Sequence, residues 1–278
     1  MLLIRSFCGN GGFGMLLAVD VGNSNISVGV FRFTDAHMPV IVCHFKFGTH
    51  NYTPDELCAT IDGFLRRFDA MQLHAAVVSS VVPQMTAAVC AAAESLCGTK
   101  PFVISSGIRT GFGIHVKNPE QLGTDIVSNV AAALTLDSAP LVVLDMGTAT
   151  TISVVDTEKT ILGAIIIPGL QLSLRTLCDT AAQLGEIPLA EKPELIGRDT
   201  RTAISSGVLN GNALMIDGFI RNIREALGTK ESGTSLSLFA TGGSYPAVEP
   251  LLRNRFTYSD TLTLFGEAIL FAQNNKIF

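Results

Sequence analysis

Met15-Leu-Leu-Ala-Val-Asp20-Val-Gly22-Asn-Ser24-Asn-Ile-Ser-Val-Gly-Val-Phe31 reads as an apolar strand, an Asp-x-Gly turn rich in short polar side chains, and a second apolar strand. Pro140-Leu-Val-Val-Leu-Asp145-Met-Gly147-Thr-Ala-Thr150-Thr-Ile-Ser-Val-Val155 repeats that pattern, with the two aspartates 125 positions apart. One structural unit therefore occurs twice in the chain. Each copy predicts a hairpin that opens one half of the protein.

Around these hairpins the pattern alternates between strand and helix. The first half continues with a strand over Val40–Phe47 and a helix opened by Thr53-Pro54-Asp55-Glu56, in which Thr caps and Pro takes the first helical position. Strands are expected at Ala75–Val82 and Pro101–Ser105, and Asn118-Pro119-Glu120 is expected to start a helix carrying Leu122, Ile126, Val130 and Leu134 on one face. The second half reads as a strand over Gly163–Ile167, the turn Pro168-Gly169, and helices over Leu170–Cys178 and Arg201–Leu227. A strand over Leu236–Ala240 then ends in Thr241-Gly242-Gly243, and Pro246 opens another helix. The fold class this predicts is α/β, with mixed sheets and helices on their faces. Residues 1–14 are read as an extension, 15–137 as the first half and 138–278 as the second.

Composition narrows the function classes. Apolar residues make up 47% of the 278 and charged residues 15%, so a packed core is expected rather than disorder. The net charge of −5, with no cluster of Lys or Arg, argues against nucleic-acid binding. The least charged stretch, His74–Glu94, is interrupted by Ser79, Ser80, Pro83 and Gln84 and reads as a strand followed by a helix, not as a membrane span. Cys8, Cys43, Cys58, Cys90, Cys97 and Cys178 form no CxxC pair, and His37, His44, His50, His74 and His115 form no cluster. Both observations point to a reducing, cytoplasmic setting without a zinc cage.

The two turns carry the chemistry. Gly22 and Gly147 let the backbone approach a ligand closely. Ser24, Asn25, Thr148 and Thr150 offer short donors suited to phosphate oxygens beside turn amides. Asp20 and Asp145, each at a strand end, can hold a cation or its waters. A single Asp-x-Gly turn reads as a plain hairpin, but two copies rich in donors read as a nucleotide grip.

At these residues the chain resembles the type III pantothenate kinases, a branch of the acetate and sugar kinase, heat-shock-70 and actin superfamily. The matching segments are Asp20-Val-Gly-Asn-Ser24, Ser79-Ser-Val-Val-Pro83, Leu122-Gly-Thr-Asp125, Asp145-Met-Gly-Thr-Ala-Thr-Thr151, Pro168-Gly169, Ile196-Gly-Arg-Asp-Thr200, Ser206-Gly207 and Thr241-Gly-Gly243, in family order from Met15 nearly to the end. The resemblance implies duplicated ribonuclease H-like (actin-like ATPase) domains. It also implies the reaction of ATP with pantothenate to give 4′-phosphopantothenate, the first step toward coenzyme A, in a cytoplasmic homodimer.

Carried over by resemblance, the first phosphate loop is Asp20, Val21, Gly22, Asn23, Ser24, Asn25, Ile26 and Ser27, and Thr148 contacts ATP. Asp125 is the proton acceptor, and Gly123, Thr124, Asp125, Ile126 and Thr200 lie on the pantothenate side. Asp145 would bind a monovalent cation, K⁺ or NH₄⁺, while Asp20 would reach Mg²⁺ through water. Two positions depart from the family: the Arg that usually follows the acceptor aspartate is Ile126, and an aromatic position before the helix-opening Pro is Val116. Loss of a guanidinium removes bidentate recognition of a carboxylate; Lys117, Arg109 or a partner subunit would have to replace it. These departures leave open an accessory nucleotide-binding protein without turnover, or a kinase for another small hydroxy acid.

Overall fold

The computed structural model describes residues 14–33, 38–68, 72–180, 193–229 and 233–275. The expected N-terminal extension lies outside these residues, apart from Gly14. The chain divides into two compact units, one made of the residues before Asp137 together with those from Thr261, the other of Asp137–Asp260.

In the first unit the strands β1 (Met15–Val21), β2 (Asn25–Phe33), β3 (Pro39–Gly48), β4 (Leu73–Ser80) and β5 (Phe102–Val103) form a sheet in the spatial order β3-β2-β1-β4-β5, and the two-residue β6 (Gly113–Ile114) is not part of it. β2 pairs antiparallel with both β1 and β3, whereas β4 pairs parallel with both β1 and β5. β1 is central, so Leu16, Leu17, Ala18 and Val19 are all fully buried and the strand reads as one apolar run. Alternation sorts them by face. Leu16, Ala18, Phe31 and Val77 meet Val127 and Ala131 of helix Thr124–Leu136 and Ala268 and Phe271 of helix Leu262–Asn274. Leu17, Val19, Val28 and Val78 meet Leu57 and Ile61 of helix Pro54–Leu65 and Met85 and Val89 of helix Pro83–Cys97.

Two expectations are corrected here. The second half does not run to the end of the chain: helix Leu262–Asn274 belongs to the first unit, because its apolar side chains complete the layer over Leu16, Ala18 and Phe31. The helix expected from Asn118-Pro119 is also two pieces. Pro119–Gln121 is a single 3₁₀ turn with no side-chain cap, Leu122 is extended, and the α-helix begins afresh at Thr124. Asp125 therefore stands in a first helical turn, where backbone N–H groups are free and the helix dipole favours an anion. By contrast, Thr53 caps its helix as the sequence suggested: Thr53 N–H donates to Glu56 at 2.8 Å and Glu56 N–H donates back to Thr53 Oγ1 at 3.3 Å.

In the second unit β7 (Leu141–Met146), β8 (Ala149–Val155), β9 (Thr160–Pro168), β10 (Ser237–Thr241) and β11 (Thr257–Tyr258) repeat the scheme in the order β11-β10-β7-β8-β9. Again a hairpin partner and its neighbour run antiparallel on one side of the central strand, and two parallel strands follow on the other. Helix Thr200–Ala226 and helix Leu170–Thr180 cover Val142, Leu144, Met146 and Ile152 with Leu209, Ile216, Ile220 and Leu174. The duplicated α/β fold with mixed sheets is thus present in both topology and direction.

Candidate functional site

In the first unit the β1–β2 turn is tightly pinned. Gly22 N–H donates to Asn25 O at 3.0 Å, Thr49 Oγ1 donates to Gly22 O at 2.7 Å, and Thr49 N–H donates to Ser24 O at 3.0 Å. Asn23, Ser24 and Asn25 are exposed, whereas the side chains of Val21 and Ile26 are fully buried. Those two members of the expected loop can offer a ligand only backbone atoms.

Asp20 pairs in register with Ser27 on β2 and with Ser79 on β4, so the three side chains form a polar row across the sheet. Alternation from Ala18 and Val77 places that row on the face covered by helices Thr124–Leu136 and Leu262–Asn274. The row leads directly to the expected acceptor. Ser79 Oγ lies 3.0 Å from Thr124 Oγ1 in a hydrogen bond, and Thr124 is followed by Asp125.

Asp125 is half-buried, and its Oδ1 accepts the Ile126 N–H at 2.9 Å. Burial pushes its carboxyl above the ordinary value, while the N–H groups of Ile126 and of Asp125 itself pull the other way. Gly123 makes this placement possible, since a Cβ there would overlap Asp125 Oδ1. Ile126 itself is 8% exposed and packs inward, so its side chain offers an approaching acid nothing polar. A cavity of about 190 Å³ reaches Thr124, with Ser105, Ser106 and Thr110 among its hydroxyls and Ile104 and Leu122 among its apolar walls. Arg109 and Lys117 are exposed, and the backbone of Arg109 is tied by two hydrogen bonds to the side chain of Asn274.

One residue of this region escaped the sequence reading. Glu267 is the only charged residue of the apolar helix Leu262–Asn274 and is fully buried. Burial, reinforced by the Asp20 carboxylate, pushes its carboxyl well above the ordinary value, while the Ser79 hydroxyl opposes the shift. The signal was available: a lone Glu inside Leu-Phe-Gly-Glu-Ala-Ile-Leu-Phe has no polar face to lie on.

In the second unit Asp145 occupies the same place, next to last in its strand. It is in register with Thr151 on β8 and Thr241 on β10. Gly147, Thr148 and Ala149 form an exposed turn. Thr150, in contrast, faces the core beside Ile152, fully buried with its Oγ1 unpaired, so it does not serve as the phosphate donor the sequence suggested. The glycine motifs converge on this turn. A Cβ on Gly169 would overlap the carbonyls of Thr148 and Gly147, and one on Gly242, whose φ is +92°, would overlap the backbone of Met146. Ser244 N–H donates to Met146 O at 3.1 Å, and Tyr258 hydroxyl donates to Gly242 O at 3.4 Å. Thr200 is exposed in the first turn of its helix, which Asp199 caps. Among the described residues no three His, Cys, Asp or Glu side chains gather to hold a metal.

Comparison with known proteins agrees with this arrangement. The family model of the type III pantothenate kinases matches residues 16–222. A type III pantothenate kinase of Exiguobacterium sibiricum is 32% identical over 94% of this chain and 100% of its own length, and one of Pelobacter propionicus is likewise 32% identical over 94% and 100%. Among solved structures, a protein solved under the name of a Baf family transcriptional activator from Campylobacter jejuni aligns with a TM-score of 0.56 at 20% identity, over 94% of this chain and 99% of that one. A glucokinase from an Antarctic psychrotroph aligns at 0.50 and 14%, over 92% and 98%. These two likenesses speak to the fold.

Proposed function

The chain belongs to the type III pantothenate kinase family, whose members phosphorylate pantothenate with ATP on the way to coenzyme A, and we propose how its own residues divide that work. The observation that supports the proposal is the register of Asp20 with Ser79 and the hydrogen bond between Ser79 and Thr124, the residue before Asp125.

Phosphoryl transfer depends on positioning and charge neutralisation more than on covalent chemistry. The turn Gly22–Asn25 presents exposed amides and hydroxyls to the phosphates of ATP, and Thr148 does the same in the second unit. Asp125 orients the primary hydroxyl of pantothenate and accepts its proton as the oxygen bonds to phosphorus. A carboxylate raised by burial is a better acceptor than an ordinary one. Gly123, Thr124 and Ile126 border the acceptor, and Thr200 is assigned to the pantothenate side by the family resemblance alone. Mg²⁺ fits the hard oxygen donors of Asp20 and its row, and when bound it supplies positive charge to the phosphate oxygens. Asp145, with its Thr151 and Thr241 neighbours, would hold K⁺ or NH₄⁺. Family membership also favours a cytoplasmic homodimer, which sedimentation would test; among the described residues no helix is long and apolar enough to cross a membrane.

The test is a coupled assay with purified protein, ATP, Mg²⁺ and K⁺, in which ADP should form only when pantothenate is added. A second reading is favoured by one observation: the buried Ile126 stands where the family has Arg, which fits an accessory protein that binds nucleotide without turnover. Calorimetry separates the two, because such a protein would bind ATP and ignore pantothenate.

A further inference from the structure

Glu267 is 0% exposed, neither carboxyl oxygen has a hydrogen-bond partner, and among the described residues no Lys, Arg or His forms an ion pair with it. An uncompensated carboxylate in such a place is strongly unfavourable, because the interior does not replace the hydration it loses. The cost is higher still because the group across from it is another acid. Helix Leu262–Asn274 lies on the sheet face that carries the Asp20–Ser27–Ser79 row, and Glu267 is close enough to feel both the Asp20 carboxylate and the Ser79 hydroxyl.

The helix is held there rigidly. Gly266 sits so close to the backbone of Ser128 that even a Cβ would overlap its carbonyl, and Thr263 Oγ1 donates to Asn129 at 2.8 Å. The close packing at Gly266 keeps this turn of the helix, and Glu267 with it, in the buried layer. A buried, unpartnered acid is therefore fixed against the floor of the phosphate loop, and a divalent cation is the partner that would offset two carboxylates at once. Magnesium suits the donor set, since it is commonly held by one or two carboxylates, retains several waters and takes further oxygens from phosphates.

We propose that Glu267 is a second carboxylate ligand, together with Asp20, for the divalent cation that accompanies ATP, with the Ser79 hydroxyl beside them. The proposal rests on the kinase reading for the identity of the cation, but it makes a claim about binding that does not need turnover. Because both carboxylates belong to one unit, the site is complete without nucleotide or pantothenate.

Mn²⁺ serves as the probe, titrated into the full-length protein without nucleotide and followed by electron paramagnetic resonance of the free ion. Wild type should bind one Mn²⁺, and Glu267→Gln and Asp20→Asn should each weaken binding roughly 10-fold or more. Glu267→Leu, whose side chain suits an apolar helix face, guards against misfolding: it should remain folded by circular dichroism and lose Mn²⁺ binding equally. Mn²⁺ affinities of both Glu267 variants within about twofold of wild type would overturn the proposal, as would a wild type that binds none. Either result leaves the kinase reading standing if the coupled assay still forms ADP with pantothenate, whereas intact Mn²⁺ binding without turnover would sink the kinase reading alone.

Discussion

Gly123→Ala isolates the position of the acceptor carboxylate from the stability of the fold. The new Cβ would overlap only Asp125 Oδ1, the tip of a side chain that can rotate, and Gly123 does not adopt a positive φ. Rotation breaks the bond from Ile126 N–H to Oδ1, worth about 1 kcal/mol, while removing a glycine from the unfolded chain returns about 0.4–1 kcal/mol. Net stability should change by less than about 1 kcal/mol, or roughly 2–4 °C in Tm for a chain of this size. Catalysis should respond very differently. Moving a reacting group by about an ångström costs on the order of 100-fold in rate, about 2.7 kcal/mol of transition-state stabilisation. The measurement pairs kcat from ADP release in the presence of pantothenate with a thermal melt of the same preparation. Wild-type kcat in the variant would show that the carboxylate is not placed by its contact with residue 123. A melt lowered by more than 10 °C would instead show that the glycine serves the fold.

Other perturbations probe neighbouring parts of the argument. Asp125→Asn should lower kcat about 100-fold or more while ATP affinity by calorimetry stays within a few-fold. Because burial raises the Asp125 carboxyl, it accepts a proton only above that raised value, so in wild type kcat should fall on the acid side at a pH above the ordinary 3.8; an acid limb centred at or below 3.8 contradicts this. Gly266→Ala forces a methyl against the Ser128 carbonyl and should destabilise by about 1–3 kcal/mol, while Gly63→Ala, on an open helix face, should stabilise by about 0.5–1 kcal/mol. Urea midpoints of equal sign for the two alanines would refute the packing argument. The Cys97 thiol, pushed up to about 12 by burial, should resist an aromatic disulfide reagent at pH 8 in the folded protein and react once the protein is denatured.

The sequence exposed what repeats and what caps. The twin apolar-Asp-x-Gly-apolar segments announced both hairpins, and Thr53-Pro54-Asp55-Glu56 announced its helix, because each is a local pattern with a local cause. What local pattern could not reveal was tertiary choice. Helix Leu262–Asn274 follows second-unit strands in the chain, yet its apolar face finds the first unit's sheet. Leu122 fits the four-residue spacing of Ile126 and Val130, yet the chain extends at Leu122 before the helix begins. Thr150 looked like Thr148 in a polar turn, but Thr148 stays in the exposed turn while Thr150 has entered the strand Ala149–Val155 and points into the core on the same face as Ile152. Glu267 was overlooked because an acid in an apolar helix belongs to no motif; only the structure brings it to Asp20.

The two copies of the hairpin have the same skeleton but different chemistry, and register explains how. Asp20 is flanked across the sheet by Ser27 and Ser79, and Asp145 by Thr151 and Thr241, so duplication supplies each unit with an aspartate between two hydroxyl side chains. The difference lies in what is laid against each row. Helices bring Glu267 and Thr124 to the first row, adding a second acid and a link to the acceptor at Asp125. The second row keeps a single carboxylate between two threonine hydroxyls, beside a turn backed by Gly169 and Gly242, while Tyr258 packs on the opposite face with Leu144 and Tyr245. Two carboxylates suit a small divalent ion, and one carboxylate among neutral oxygens suits a larger monovalent one. On this reasoning the cation preference of each turn follows from the acids set beside its aspartate, and moving the second acid by Glu267→Leu with Thr151→Asp, a position in register with Asp145, should move Mn²⁺ affinity toward the Asp145 turn. Retention of Mn²⁺ at Asp20 in that double variant, judged by its sensitivity to Asp20→Asn, would show that the strand end alone selects the ion.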